Sequence, residues 1–302
     1  MVNGTAYFNA RDGSPIRYAT ALPDSENPAG TVVLLGGRTE FIEKHAETIA
    51  ELNRRNLMVN TMDWRGQGLS SRLLKDRQKG HILSFSQYIN DLSCFMETVV
   101  SPNAVSPIIF LAHSMGGHIT LRYMSEQDSG IAAAVLVAPM IEIRLFPMPQ
   151  SLVRRLVWLA VRAGWAERYV VGASGYDPKK APFKNNPLTS DWERFIDENI
   201  KIAENPDLAI GGVTYGWLCA ALQSIEILKA SKSLQEKKVP VLMVGGSDDR
   251  VVSIPAMKQI CRRLANCRSF VIDRARHDIL READPMRQAF WQEFDNFVQS
   301  PV

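Results

Sequence analysis

Ser114 lies in a segment whose residue types suit an attacking hydroxyl group. Positions 108–117 read IIFLAHSMGG, an apolar run that predicts a buried strand followed at once by a helix. A sharp turn between the two would push the serine side chain out of the sheet, and the start of the helix favours developing negative charge. Because Ala112 and Gly116 are small, the two backbones can approach closely. The pattern predicts a nucleophile elbow with Ser114 at its tip.

An attacking serine requires a base, and chain order indicates which of the five histidines supplies it. His277 follows the last predicted strand, so its loop should lie at the carboxyl end of the sheet, beside the elbow. His113 and His118 lie on the elbow itself, and we expect structural roles for both. The remaining histidines are His45 and His81.

The acid that orients the base is expected on another loop at the same end of the sheet. Positions 241–250 read VLMVGGSDDR, an apolar strand followed by Asp248 and Asp249. Spacing alone does not choose between these two aspartates. With either one the order along the chain is Ser, Asp, His, which is the order of α/β-hydrolases and differs from that of the other two well-known serine-triad folds.

Two backbone amides would stabilise the oxyanion that forms during attack on an acyl carbon. The residue after the nucleophile, Met115, provides one of them. The loop after the strand predicted at 31–35 reads GGRTE, and we expect its Arg38 amide to be the second, since the preceding glycines permit a close backbone approach. This chemistry requires no cofactor. The histidines lack the ligand spacing of a metal site, so no metal is expected either.

An alternating series of strands and helices would position these residues. Two short strands are predicted around the turn at 11–13. Apolar runs then predict strands buried on both faces, and they occupy 31–35, 57–62, 108–112, 131–138, 239–245 and 268–272. Helical periodicity occupies 43–55, 85–100, 115–126, 255–264 and 285–298. The alternation predicts an α/β fold with a mostly parallel sheet covered by helices on both faces.

The alternation stops between residues 139 and 234. This stretch is too long for a structureless loop inside a compact domain, so we predict a mostly helical cap. It contains the proline-marked segment Phe146-Pro147-Met148-Pro149, which leads into an amphipathic stretch at 152–165. The predicted organisation is a core of 1–138 and 235–302, with 139–234 inserted over the carboxyl ends of the strands.

The composition is that of a globular protein with a sizeable core. Of the 302 residues, 46% are hydrophobic and 22% are charged, and the net charge of +3 is spread without long charged runs. This balance argues against a nucleic-acid partner. The N-terminus lacks a signal-peptide pattern and no apolar stretch approaches the length of a membrane span, which together predict a cytoplasmic location. All four cysteines are expected to be reduced, without a Cys261–Cys267 disulfide.

With these residues in place, the chain resembles the monoglyceride lipase and bacterial lysophospholipase branch of the α/β-hydrolases, nearly from end to end. The most family-specific string is DWRGQGLS at 63–70, together with the elbow, the GGRTE loop and the GSDDR acid loop. In such families the acid precedes an arginine, so the resemblance implies Asp249 as the acid. The family usually has His-Gly where this chain has Gly36-Gly37, and the predicted cap matches least.

The resemblance implies an esterase or lipase that acts on a monoacylated lipid, such as a lysophospholipid or a monoacylglycerol. The stretch 152–165 is then expected to form part of an acyl tunnel or to contact a membrane surface transiently. A small-ester carboxylesterase and a serine aminopeptidase are alternatives with the same triad, and a non-catalytic binder that keeps the pocket is a third. Dehalogenases and epoxide hydrolases of this fold are disfavoured, because their nucleophile is an aspartate.

Overall fold

A single eight-stranded sheet forms the centre of the computed structural model, which describes residues 4–127, 130–145, 148–180 and 182–299. Its strands are β1 (Thr5–Asn9), β2 (Pro15–Ala21), β3 (Gly30–Leu35), β4 (Leu57–Met62), β5 (Ile108–His113), β6 (Ala133–Val137), β7 (Val241–Gly246) and β8 (Cys267–Ile272). The order across the sheet is β1-β2-β4-β3-β5-β6-β7-β8. Among these strands, β2 pairs antiparallel with β1 and β4, and all other neighbours are parallel. The prediction of a mostly parallel sheet is confirmed.

Helices connect most of the strands. The described α-helices are α1 (Ala46–Arg54), α2 (Phe85–Phe95), α3 (Met115–Glu126), α4 (Gln150–Ala160), α5 (Trp192–Glu204), α6 (Tyr215–Ala230), α7 (Ser233–Glu236), α8 (Ile254–Cys261) and α9 (Asp284–Gln299). Short π-helical turns extend α2 through Val100 and α4 through Trp165. None of the described helices combines the length and the apolarity that a bilayer crossing requires.

The core consists of two apolar layers, one on each face of the sheet. Successive side chains of a strand point to opposite faces, so Val32 and Leu34 of β3 pack in one cluster with α1 and α9. Val33 and Leu35 pack in the other cluster with α2, α3 and α8. Every residue of β3 is buried, and each fully buried valine or leucine contributes about 1.5–3 kcal/mol. This double layer fixes the strand ends that carry the loops of the site.

Between β6 and β7 the chain leaves the sheet through the segment 139–234, called the insertion below. It contains α4, α5 and α6, and α4 packs against α6. The side chains of Asp191 and Thr214 cap the starts of α5 and α6 by accepting hydrogen bonds from backbone amides. Helix α7 crosses the predicted boundary at 234. Of the proline-marked segment, Phe146 and Pro147 lie outside the described residues.

The expectation that all four cysteines are reduced is wrong for one pair. Cys261 ends α8 and Cys267 begins β8, and the two form a disulfide with their Cα atoms 5.4 Å apart. The short turn between the helix and the strand brings both residues within bonding range. The sequence did not predict this bond, because two cysteines six positions apart can lie near to or far from each other. The conformation of the turn between α8 and β8 decides their distance. Cys94 and Cys219 are free.

Candidate active site

Ser114 lies at the turn between β5 and α3, in a backbone conformation that few residues with side chains adopt. Its φ of 50° and ψ of −112° are held by the strand and the helix on either side. The turn depends on glycine at position 116. A Cβ atom there would lie 2.5 Å from the carbonyl oxygen of Leu35 and 2.6 Å from that of Gly36. The start of α3 therefore lies directly against the end of β3 and the loop after it, and a side chain at position 116 would clash there.

The side chains of Ser114, His277 and Asp249 form a continuous chain of hydrogen bonds. Ser114 Oγ lies 2.9 Å from His277 Nε2, and His277 Nδ1 lies 2.8 Å from Asp249 Oδ2. All three residues are buried, and Ser114 is the most exposed of them at 8%. When Nδ1 carries the proton and donates it to the carboxylate, Nε2 is free to accept the serine proton. The structure thus brings together three residues that are 28 and 163 positions apart along the chain.

Of the two aspartates that spacing leaves open, Asp249 faces His277 and Asp248 is exposed to solvent. The second carboxylate oxygen of Asp249 accepts hydrogen bonds from the amides of Val251 and Val252, at 2.7 and 2.9 Å. Burial by itself would raise the pKa of Asp249. The hydrogen bond and charge of His277, together with the two amides, more than offset burial, so this pKa lies below its ordinary value. Asp249 is therefore ionised where it faces the ring of His277.

The backbone amides of Arg38 and Met115 are free to bind an anion. Within the described residues neither N–H has a hydrogen-bond acceptor, whereas both amides that flank Arg38 donate to side chains. Met115 begins α3, where an amide has no acceptor inside the helix. The loop of Arg38 lies beside the nucleophile, since a Cβ atom on Gly37 would be 3.1 Å from Ser114 Cβ. Both predicted oxyanion donors thus lie next to Ser114 in the fold.

Two residues of the 63–70 string hold this loop, a role that the sequence did not reveal. The indole nitrogen of Trp64 donates to the carbonyl oxygen of Gly36 at 2.7 Å. The side-chain oxygen of Gln67 accepts a hydrogen bond from the amide of Thr39 at 2.5 Å. Both side chains are buried, so they fix the backbone on either side of the Arg38 amide. The sequence feature that marks this support is the family-specific string at 63–70.

A buried group of charged side chains lies behind the triad and was also missed. Glu40 Oε1 lies 2.9 Å from His113 Nδ1, and Lys44 Nζ lies 3.5 Å from Glu40, 3.3 Å from Asp278 and 3.0 Å from Glu198. The ligand atoms of Glu40, His113 and Asp278 are close enough together to hold a metal ion. However, the ammonium group of Lys44 already lies beside the carboxylates and balances their charge. We therefore assign a structural ion-pair role to this group.

His113 connects the buried group to the backbone of His277. Its Nδ1 faces Glu40, and its Nε2 lies 3.2 Å from the carbonyl oxygen of His277, so only an imidazolium can donate to both acceptors. Burial lowers the pKa of His113, but the charges of Glu40 and Asp278 and the hydrogen bond to Glu40 more than offset burial and raise it to about 9. A protonated His113 thus fixes the loop of His277.

The other histidines near the elbow and the insertion bind different partners. His118 Nε2, on α3, lies 2.7 Å from Ser224 Oγ of α6, and burial lowers its pKa to about 3. His81 Nδ1 lies 2.9 Å from Thr214 Oγ1 at the start of α6. Both imidazoles therefore serve contacts between the core and the insertion, and neither contacts Ser114.

The insertion also contacts the loop that carries His277. The amide of His277 lies 3.4 Å from the carbonyl oxygen of Pro187, and the amide of Asp278 donates to the carbonyl oxygen of Leu188 at 2.8 Å. These carbonyl groups belong to the stretch that precedes α5. One side of the loop is therefore held by the core through His113, and the other side by the insertion.

Known proteins resemble this chain along most of its length. The chain matches the family model described as "Serine aminopeptidase, S33" over residues 26–284. Lysophospholipase L2 of Escherichia coli (strain K12) is 30% identical over 290 residues, 93% of this chain and 83% of that protein. Probable lysophospholipase L2 of Haemophilus influenzae is 28% identical over 97% of this chain and 91% of its own length. Among solved structures, the chain is similar to a soluble variant of monoglyceride lipase from Saccharomyces cerevisiae in complex with a substrate analog. The TM-score is 0.76 at 21% identity, and the match covers 98% of this chain and 96% of that chain. The chain therefore belongs to the serine aminopeptidase S33 family of α/β-hydrolases, with lysophospholipase L2 among its relatives.

Proposed function

We propose that this chain is a serine hydrolase that cleaves the carboxylic ester of a monoacylated lipid, such as a lysophospholipid or a monoacylglycerol. The observation that carries this proposal is the chain of hydrogen bonds from Ser114 through His277 to Asp249, at 2.9 and 2.8 Å. It has the order nucleophile, general base and orienting acid. The relatives that bear the name lysophospholipase L2 support the substrate class.

In the proposed mechanism, His277 Nε2 takes the proton of Ser114 as its oxygen attacks the acyl carbon. The same nitrogen then gives the proton to the departing alcohol oxygen, which leaves an acyl-enzyme. Asp249 keeps the imidazole in the required tautomer and stabilises its positive form. Water repeats the cycle and releases the fatty acid. The amides of Arg38 and Met115 donate to the oxyanion in both halves of the reaction.

We further propose that the insertion, 139–234, acts as a cap over a core formed by 1–138 and 235–302. Its backbone contacts with the loop of His277 support this assignment, as does the small exposed fraction of Ser114. A substrate must then pass between the insertion and the sheet. The side chains of the insertion, more than the triad, would select the acyl chain.

Helix α4 is proposed as the part of the cap that contacts a lipid surface transiently. Val153 and Val157 face inward, whereas Leu152, Leu156 and Leu159 remain 45–55% exposed. The exposed leucines are accompanied by basic residues of α4 and the turn after it, Arg154, Arg155 and Arg162. An exposed apolar stripe with basic flanks suits an anionic membrane surface. Sedimentation with vesicles of anionic or zwitterionic lipid tests this, and equal binding of wild type and a Leu156→Ser, Leu159→Ser variant would contradict it.

Labelling by a fluorophosphonate probe tests the nucleophile. Wild type should be labelled and Ser114→Ala should not, because the probe reacts with an activated serine. Circular dichroism and thermal unfolding of both proteins serve as the control for folding. An unlabelled but folded wild type would favour the non-catalytic binder over the enzyme.

A panel of esters and amides tests the substrate class. Nitrophenyl esters from acetate to palmitate, 1-palmitoylglycerol and palmitoyl lysophospholipids should show a preference for long acyl chains. A preference for acetate would favour a small-ester carboxylesterase. Since the matching family model is described as a serine aminopeptidase, aminoacyl nitroanilides belong in the same panel, and faster cleavage of these amides than of esters would reverse the proposal.

The cytoplasmic location stays a prediction of the sequence. The observation that bears on it is the Cys261–Cys267 disulfide, since such bonds persist mainly in oxidising compartments. Alkylation of thiols in intact cells, followed by mass spectrometry, measures whether this pair is reduced where the protein resides. A fully reduced pair is the result expected for the cytoplasm.

A further inference from the structure

The guanidinium of Arg38 is a partly buried cation without a carboxylate partner. Arg38 follows Gly37, which lies against Ser114, and its side chain extends from the oxyanion loop to the insertion. There Nη1 donates to the carbonyl oxygen of Gly211 at 2.9 Å. Within the described residues this is the only hydrogen bond of the guanidinium, and no carboxylate oxygen lies within 4.0 Å of it. Most of its five N–H donors are therefore available to a ligand.

Arg38 differs in this respect from the other arginines buried in the described fold. Most of them form ion pairs with aspartate or glutamate, namely Arg17, Arg65, Arg122, Arg281 and Arg287. Three partly buried arginines have no such pair in the described residues, but each guanidinium donates to two or three backbone carbonyl groups, namely Arg72, Arg263 and Arg276, whereas that of Arg38 donates to one. A desolvated cation is costly unless an anion compensates it. The position of Arg38 beside the nucleophile indicates that this anion comes with the substrate.

The surroundings of Arg38 hold the guanidinium in place without neutralising it. Gly211 is fixed by packing, since a Cβ atom on it would lie 2.5 Å from the carbonyl oxygen of Ser174. Burial lowers the pKa of Arg38, and Tyr88 and the charge of Glu198 oppose this effect, the latter from beyond ion-pair distance. Glu198 itself pairs with Lys44 at 3.0 Å. Because arginine is the most basic of the side chains, the guanidinium remains charged.

We propose that the Arg38 side chain binds the phosphate of the substrate, so that the site prefers a lysophospholipid to an uncharged monoacylglycerol. This inference rests on the proposed ester hydrolase. One residue would then contact the substrate twice, with its amide on the oxyanion and its guanidinium on the phosphate. In a lysophospholipid these groups are separated by the three glycerol carbons, a distance comparable to the length of an arginine side chain. The planar fork of the guanidinium suits two phosphate oxygens.

The test assays each variant with two substrates. A general disturbance of the oxyanion loop would slow the cleavage of both substrates and leave the ratio of their kcat/KM values unchanged. We measure kcat/KM for palmitoyl lysophosphatidylglycerol and for 1-palmitoylglycerol, in wild type, Arg38→Met and Arg38→Lys. Arg54→Met, an exposed arginine on α1, is the matched control. We take the ratio of kcat/KM for palmitoyl lysophosphatidylglycerol to kcat/KM for 1-palmitoylglycerol. This ratio should fall about ten- to a hundredfold in Arg38→Met, as expected for loss of charge-assisted hydrogen bonds. Arg38→Lys should recover part of this ratio, because it keeps the charge without the fork.

A second measurement uses wild type alone and does not depend on the folding of a variant. sn-Glycerol 3-phosphate should inhibit cleavage of 1-palmitoylglycerol competitively, whereas glycerol should not. An unchanged substrate ratio in a folded Arg38→Met, or equal inhibition by the two compounds, would overturn the assignment of Arg38 while the ester hydrolase stands. A wild type that cleaves neither lipid would instead contradict the proposed function.

Discussion

Around Ser114 the side chains are buried in a layered core, whereas the insertion that contacts the loop of His277 keeps much of its apolar surface exposed. Strands β3 and β7 are buried along their whole length, and the loops after them carry Arg38 and Asp249. Helix α4 buries one stripe and exposes Leu152, Leu156 and Leu159 on another. The positions of the loops that carry Arg38 and Asp249 are thus fixed by the packing of the strands before them. The surface of α4 that is proposed to contact a lipid bilayer is less constrained.

The largest expected effect concerns the two neighbouring aspartates of the acid loop. Asp249→Asn should lower kcat about 10⁴-fold, because an amide no longer fixes the tautomer of His277 or stabilises its positive form. Asp248→Asn changes the same chemical group on the exposed side of the loop and should remain within about twofold of wild type. Steady-state hydrolysis of a nitrophenyl ester measures both. Similar losses in the two variants would refute the assignment of Asp249.

The same glycine-to-alanine change can be made beside Ser114 and in the insertion, to compare how far each region tolerates an added methyl group. Gly116→Ala should destabilise the fold by about 3 kcal/mol, since the new Cβ would meet two backbone carbonyl groups at 2.5 and 2.6 Å. Gly164 lies in the insertion at a φ of 82° with open space around it. Its replacement by alanine should cost about 1 kcal/mol of backbone strain. Urea unfolding gives both values, and a reversed order would contradict the comparison.

The contributions of His113 and His81 to the free energy of unfolding should change with pH in opposite directions. The pKa of His113 is raised from 6.5 to about 9, so the stability it contributes is fully present below pH 6.5 and is lost as the pH rises through 9. Burial lowers the pKa of His81, which lies against the insertion, so its contribution is present above pH 6.5 and is lost as the pH falls below that value.

Urea unfolding between pH 5 and 10 tests this pair. The difference in unfolding free energy between wild type and His113→Asn should shrink above pH 7. The difference for His81→Asn should shrink below pH 6. If both differences changed in the same direction with pH, the proposed protonation of His113 would be wrong.

The smallest expected effect lies on the outer face of α4. Leu159 is 55% exposed, and its replacement by alanine should change the unfolding free energy by no more than about 0.5 kcal/mol. Val157 on the inner face of the same helix is the matched control, and alanine there should cost about 2 kcal/mol. Thermal unfolding distinguishes the two. Equal losses would indicate that the exposed stripe is covered in the folded protein.

Much of the geometry of the site could be expected from the sequence, because Ser114, Asp249, His277 and Arg38 each follow one of the parallel strands of the sheet. The carboxyl ends of such strands meet at a single edge, so local patterns were enough to group these residues. Spacing could not choose between Asp248 and Asp249. That choice depends on which way the chain turns after β7, and only the resemblance to a family favoured Asp249.

The features that the sequence missed depend on how elements of the fold pack against each other. Glu40, Lys44 and Asp278 become a charged group only when the loop after β3 and the loop after β8 are packed together. The disulfide depends on one turn between α8 and β8. No periodicity or spacing encodes either arrangement.

The backbone contacts between the insertion and the loop of His277 limit how this architecture can be recombined. The carbonyl groups of Pro187 and Leu188 face the backbone amides of His277 and Asp278. Replacing the whole insertion with that of a relative would exchange helix α4 and the support of the His277 loop in one step. A graft that keeps this short stretch and replaces only α4 would leave the support intact. We therefore regard α4 as an exchangeable module and the stretch before α5 as part of the catalytic frame, although both belong to one insertion in the sequence.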